Sequence, residues 1–451
     1  MKTLSLFWPI LILVFILLAY FPLFLKLLWH KPLAAKPAKS KRKLQILKPK
    51  TDKDCPHCQA QIAGGQTPET VCKKHIIPYR MRKKKPGRPK TVRTQGFFCA
   101  NPRCYYYLSD DETIHALVGY GSHGTYEAIG DLFCQFCRKK STVRRNTVLY
   151  RLKTLSSTVG NVLLALAVGM DISAVEDLFG VREMTVRTWL ARGGAHGQKL
   201  HQRFFANLEL AHVQFDELWA DVKQSDQEMW VWTACDAKSK VIPVLQVGPR
   251  TLEMAYAVVH ELKSRLNAGC VPPCSSDGLK LYFYALTAHF GLWLKAADQK
   301  KPTWQLLTDF TYAQVIKQQR RFRLVKVEQR MLWGRLSDYI ARLKANGLSG
   351  RINTSYVERA NLTIRQSVSK LTRRTWGPAQ YATELSEHLF WWLAYYHFSR
   401  PHETLRVKLA SPTPRQGKQR PILYRDRTPA MAAGLTAKRW SVLELISYPL
   451  P

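Results

Sequence analysis

Residues 211–222 read AHVQFDELWADV, an apolar run of strand length interrupted by two adjacent acids, Asp216 and Glu217. After the polar turn KQSDQ (223–227) comes a second such run, EMWVWTACDA (228–237). After AKSK (237–240) comes a third, VIPVLQVG (241–248). Three short runs rich in Val, Trp and Ile, separated by turn residues, predict an antiparallel meander. Next, TLEMAYAVVHELKSRL (251–266) carries apolar residues at helical spacing, and CVPPCSSDG (270–278) gives a short strand or turn ending at Asp277. LKLYFYALTAHF (279–290) reads as a helix and AQVIKQQRRFRLVKVEQ (313–329) as a hairpin. INTSYVERANLTIRQSVSKL (352–371) begins a helix that bears Glu358. The order of strands, helix, strand, helix predicts an α/β domain with helices flanking a mixed five-stranded sheet.

Three separated acids stand out in this frame. Asp216 lies in mid-strand, where burying a carboxylate is costly unless it binds something; an outward-facing strand residue is the plain alternative. Asp277, between Ser276 and Gly278, is placed to project from a sheet edge, although a turn Asp would look the same. Glu358 closes Ser355-Tyr356-Val357-Glu358, which fits a capping box. Asn361 and Arg365 follow three and seven positions later, on the same helical face. Glu217 is expected on the opposite strand face from Asp216, Asp221 near the strand end and Asp236 at a turn, and all three rank below the chosen acids.

The surroundings are basic: 69 Lys and Arg against 32 acids give a net charge of +37 over 451 residues. That favours a polyanionic partner, nucleic acid or an anionic membrane surface. Carboxylates isolated among cations are what metal-assisted chemistry on a phosphodiester requires, since they hold divalent ions beside a phosphate drawn in by the basic surface. The N-terminal stretch 1–30 has no charge between Lys2 and Lys26. It is long enough to span a hydrocarbon core of about 30 Å, and the basic flank predicts that all that follows stays cytoplasmic. A start codon chosen too far upstream would explain the stretch equally. Residues 31–52 read as a basic linker.

Seven of ten cysteines fall between Cys55 and Cys137, six of them in close pairs, with Cys72 apart. The pairs point to structural zinc in a module at 53–140. The favoured ligand set is Cys55, Cys58, Cys99 and Cys104. The third pair, Cys134 and Cys137, is left open: with Cys72 and His75 it could form a second site, or it could replace the Cys99 pair. Within the module, RMRKKKPGRPKTVR places Arg88 between Gly87 and Pro89 as in an AT-hook, suited to a narrow minor groove. Between 141 and 205, DISAVEDLFGVREMTVRTWLARGG predicts a helix, a turn at Gly180 and a second helix over about 184–192. Thr185, Arg187 and Thr188 are its candidate base-reading residues, and Trp189 its core residue.

Asp216 in FDELW, VGPRT after the meander, Asp277 in SSDG and NTSYVERANLTIRQ together resemble bacterial insertion-sequence transposases of the DDE class, within the RNase H-like and retroviral-integrase superfamily. The likeness runs over roughly 53–405, is strongest over 211–376, and extends to the closing YYHFSRPHETL. It implies an RNase H-like catalytic domain at 206–405, followed by a C-terminal tail at 406–451. It further implies that Asp216, Asp277 and Glu358 bind two Mg2+ (or Mn2+) ions and that Arg365 contacts DNA, with Asn361 beside it. The implied activity is cleavage of element ends and joining of their 3′-hydroxyls to target DNA, by a homo-oligomer assembled on terminal inverted repeats. A membrane-tethered DNA-binding regulator and a nuclease of the same superfamily are the competing functions. The hydrophobic N-terminus departs from the family pattern, as does the long gap from Asp277 to Glu358 (358 − 277 = 81), which suggests an insertion near 291–350.

Overall fold

The computed structural model describes residues 92–109, 116–295, 301–321, 323–373, 375, 377–414 and 421–450. Contacts divide the chain into Met1–Ile77, which lies outside the described residues, and Pro78–Pro451, which holds all of them. The apolar stretch at 1–30, the basic linker, Cys55, Cys58, Cys72, His75 and the AT-hook-like segment with Arg88 therefore lie outside the described residues. Among the described residues, no helix is long and apolar enough to cross a membrane.

A small antiparallel sheet comes first, from β1 (Leu117–His123), β2 (Ile129–Cys134) and β3 (Lys140–Thr142). Three helices follow: α1 (Ser156–Ala167), α2 (Ile172–Phe179) and α3 (Glu183–Phe204). Asp171 caps α2 by accepting from Ala174 N, and Gly180 ends it in the left-handed conformation at φ 63°, which glycine adopts without strain. The turn stands where the sequence places it, but α3 continues twelve residues past the expected end at Arg192 (204 − 192 = 12).

The meander is β4 (Val213–Ala220), β5 (Met229–Asp236) and β6 (Val244–Pro249), as expected. A crossover through α4 (Leu252–Arg265) brings in β7 (Cys274–Ser276) parallel to β4. Then come α5 (Leu281–His289), the hairpin β8 (Gly291–Leu294) and β9 (Thr303–Leu306), and the hairpin β10 (Tyr312–Arg320) and β11 (Arg323–Trp333). β10 lies parallel to β7. The sheet is mixed and six-stranded, in the order β11-β10-β7-β4-β5-β6. The expectation of five strands is corrected, because both arms of the β10–β11 hairpin join it. Much of the supposed insertion near 291–350 is consequently sheet.

Helix α6 (Leu336–Ala345) packs Tyr339 and Leu343 against Ala313 and Val315 of β10. α7 (Ser355–Ser367) and α8 (Ala382–Phe398) complete the main framework. Strand periodicity sends Phe215, Trp232 and Val244 to one face, against Tyr282 and Val258 of α5 and α4. Leu218, Val231 and Leu245 go to the other, against Ile364 and Leu389 of α7 and α8. The sheet is thus apolar on both sides and covered on both. The chain closes with the hairpin β12 (Val407–Thr413) and β13 (Ile422–Arg425), then α9 (Pro429–Ala432) and α10 (Val442–Ser447). Val159 of α1, Trp189 of α3 and Leu445 and Ile446 of α10 belong to the same apolar core as Phe215. The helices of 141–205 and the final segment therefore share a core with the sheet.

Candidate functional site

Strand register assembles the acids. β4 and β7 run parallel with Val213 beside Cys274, Gln214 beside Ser275 and Phe215 beside Ser276; one step further sets Asp216 beside Asp277. Ligand atoms of Asp216, Glu217 and Asp277 all lie within 4.8 Å of one another. Glu217 thus corrects its low rank. Alternation does send it to the α5 side of β4, but Asp277, leaving the end of β7, comes within reach of both neighbours.

Three carboxylates this close repel one another. Burial first, then the charge of Asp277, pushes the Asp216 carboxyl up to about 6, against the hydrogen bond from Asn361. The same two causes raise Glu217 to about 8, opposed by Arg250. Its side chain is 2 % exposed and meets Arg250 Nη2 at 3.1 Å through Oε2, with the buried Tyr282 hydroxyl beside it. Three partly buried carboxylates repelling one another are costly, and a divalent cation among them would relieve that repulsion. Hard oxygen donors of this kind suit Mg2+ or Mn2+.

Helix α7 faces the same site. Fully buried Gln214, two residues before Asp216 on the same strand face, accepts from Tyr356 N and Val357 N at 3.0 Å each through Oε1. Its Nε2 donates to Asn353 O at 2.8 Å. The helix start is therefore held by the strand, and the capping box expected at Ser355 is not formed: Thr354 is the N-cap and Ser355 already helical. Glu358 instead accepts from Thr354 Oγ1 at 2.5 Å and from Lys317 Nζ of β10. It lies outside the 4.8 Å set, although its charge contributes to raising Asp216. Asn361 Nδ2 donates to Asp216 Oδ2 at 2.9 Å. Half-buried Arg365 feels the Asp216 charge, and burial lowers its pKa. The acid, amide and cation spaced along α7 thus line up beside Asp216.

The competing acids serve elsewhere. Asp236 accepts from Ala211 N, His212 N and Ser239 N and Oγ, which ties the end of β5. Asp221 pairs with Lys223 at 3.2 Å on the surface.

A second group of ligand atoms lies in the small sheet. Cys99, Cys104, Cys134 and Cys137 converge within 4.8 Å, with Cys99 Sγ 3.6 Å from Cys137 Sγ and Cys104 Sγ 3.8 Å from Cys134 Sγ. Four sulfurs about 2.3 Å from a tetrahedral zinc stand about 3.8 Å apart, so the set fits that ion. Hydrogen bonds within the cluster hold Cys134 below the ordinary thiol range and, by the same contacts, raise Cys104. This corrects the favoured ligand set. Cys99 and Cys104 close with Cys134 and Cys137, because the turn after β2 folds the third pair back over the loop before β1; Cys55 and Cys58 lie outside the described residues.

On α3, Thr185 and Thr188 are exposed and Trp189 is buried. The Thr188 hydroxyl donates to Met184 O at 2.8 Å. Arg187 is engaged by Glu183 at 2.5 Å and lies 3.7 Å from Glu384 of α8.

Compared with known proteins, the chain matches no family model and no curated protein.

Proposed function

We propose that the chain is a DNA transposase with an RNase H-like catalytic domain, which cuts element ends and joins their 3′-hydroxyls to target DNA. The observation that carries this is the convergence of Asp216 on β4 with Asp277, just past the end of the adjacent parallel strand β7, beside the helix that bears Glu358. Supporting it, the five strands β6-β5-β4-β7-β10 have an antiparallel meander on one side and two successive parallel additions on the other, compatible with the mixed sheet and flanking helices that the sequence resemblance implies. The charge of +37 suits the polyanion.

Asp216, Asp277 and Glu358 would hold two divalent ions, with Glu217 beside them. When bound, these would activate the attacking oxygen and stabilise the leaving 3′ oxygen. Asn361 fixes the Asp216 carboxylate by its amide hydrogen bond, so that its free oxygen keeps one direction. Lys317 pairs with Glu358 and Arg250 with Glu217, which offsets part of the repulsion among the four acids. Arg365, next to Asp216 and partly buried, meets the phosphodiester. Water attacks first and frees a 3′-hydroxyl; that hydroxyl then attacks a target phosphodiester, one P–O bond forming as another breaks. Zinc on Cys99, Cys104, Cys134 and Cys137 would be structural, stapling a segment with little apolar core of its own.

The test is nicking and strand transfer on a supercoiled target, with DNA carrying the terminal repeats that flank the gene. Wild type should cut and join in Mg2+ or Mn2+, and Asp216→Asn or Asp277→Asn should lose both steps by more than a hundredfold while still binding DNA. A wild-type protein that binds these ends yet never cuts in either metal would sink the proposal, and cutting without joining would reduce it to a nuclease.

A further inference from the structure

A cavity of about 840 Å³ opens beside α7, between the end of β5, the loop after α6 and the segment after α8. Four cations line it: Lys238 and Lys240 from the β5–β6 turn, Arg359 from α7 and Arg400 after α8. None of the four forms an ion pair among the described residues. Lys238 Nζ reaches Asn346 Oδ1 at 3.3 Å. Lys240 donates to Ala237 O and lies 3.6 Å from the centre of the Tyr356 ring. Arg400 donates to Ser367 Oγ at 3.2 Å. The one acid on the rim, Glu403, turns outward to Arg406 at 3.4 Å.

Ordinary surface cations pair or spread apart. Here four are gathered in a concavity, where a low-dielectric wall focuses their field, and none of them is paired with a carboxylate among the described residues, so the concentrated positive charge calls for an anion. The site is separate from the acids: on α7, Tyr356, Arg359 and Thr363 face the cavity, whereas Glu358, Asn361 and Arg365 lie roughly half a turn away around the helix. With side chains, a helix is about 10 Å across, so an anion here is not the phosphate beside Asp216.

We propose that this cavity binds the phosphodiester backbone of nucleic acid, as an anchoring site independent of sequence and distinct from the acid cluster. The chain's overall charge favours a polyanion over a small metabolite, and the cavity can take several backbone units. The proposal does not depend on the catalytic reading, since a protein that never cuts could still hold DNA here.

The double variant Lys238→Ala/Arg359→Ala tests it. Both side chains are exposed and outside the catalytic machinery, so the thermal midpoint should stay at the wild-type value. Binding of a labelled duplex of arbitrary sequence is measured over a salt series. Each lost phosphate contact should flatten the logarithmic salt slope by about 0.9 and weaken binding roughly tenfold at about 0.1 M salt. Cleavage by Asp216→Asn fails for a different reason, with its salt slope intact, so the two ideas fail separately. An unchanged slope and affinity in the double variant overturns the anchoring site. Titration with pyrophosphate or a nucleoside monophosphate forms a second arm: binding of these that the double variant loses, with the DNA slope unaltered, assigns the cavity to a small phosphate ligand and overturns the nucleic-acid proposal. Arg400→Gln repeats the measurement from the other wall of the cavity.

Discussion

Glu217 and Gln214 carry the lesson of the residue scale. Both lie in VQFDELW, two letters or fewer from Asp216, yet neither role is legible in the sequence. Strand alternation correctly sends Glu217 to the far face of β4, but only the end of β7 shows that Asp277 bridges the two faces. Gln214 reads as a polar residue in a strand; that it replaces the expected capping box depends on a helix about 140 positions downstream. Asp216 and Asp277 themselves were legible, since each carboxylate sat where a sheet ends or is buried. The electrostatics yield a prediction. Acids whose pKa is raised on folding stabilise the folded chain below their ordinary values and lose that contribution as pH rises through the folded ones. With Asp216 at about 6 and Glu217 at about 8, the metal-free site loses stability between about pH 4 and 8. Mn2+ should therefore raise the thermal midpoint more at about pH 8 than at about pH 5. Differential scanning fluorimetry with and without the ion reads this; equal shifts at both pH values would show that the carboxylates are not the ligands.

Among elements, the meander, its crossover helix and the Glu358 helix were all readable from apolar spacing, whereas α3 was cut short. ARGGAHGQ looks like a helix end because Gly193, Gly194 and Gly197 weaken local propensity. Tertiary packing reverses that reading. A Cβ on Gly194 would lie 2.3 Å from Glu387 O and one on Gly197 2.4 Å from Phe390 O, so the glycines form the groove into which the α8 backbone fits. Gly180 is the opposite kind of glycine, with open space around its missing Cβ and a left-handed backbone. Gly194→Ala should cost about 3 kcal/mol or more, because backbone cannot yield as a side chain can, and Gly180→Ala only about 1 kcal/mol. Urea unfolding of the two variants decides this; a Gly194→Ala protein as stable as wild type would mean that α3 and α8 do not cross so closely.

At the scale of the whole molecule, buried histidines oppose the acid site. Burial lowers His196 and His388 to about 4, and His201 and His212 to about 3. His201 stacks on both Phe205 and His397 between sheet and helices, His201 bonding Pro243 O at 2.8 Å and His397 accepting from Ile242 N at 2.9 Å. A histidine with a lowered folded pKa stabilises above its ordinary value, near 6.5, and loses this as pH falls toward the folded one. The protein should unfold progressively below about pH 6, with His388→Gln shifting the acid transition downward; circular dichroism against pH tests it, and an unaltered transition would remove His388 from the cause. None of this was visible beforehand, because a histidine's burial depends on every element packed around it.

The final helix has one more consequence. Leu450 N donates to Asn146 O, Val148 N to Ile446 O, and His196 bonds Leu445 O, so α10 and the residues after it are tied to the turns before α1 and to α3. These bonds join segments that lie far apart in the chain, so this layer closes late in folding, after its local helices have formed.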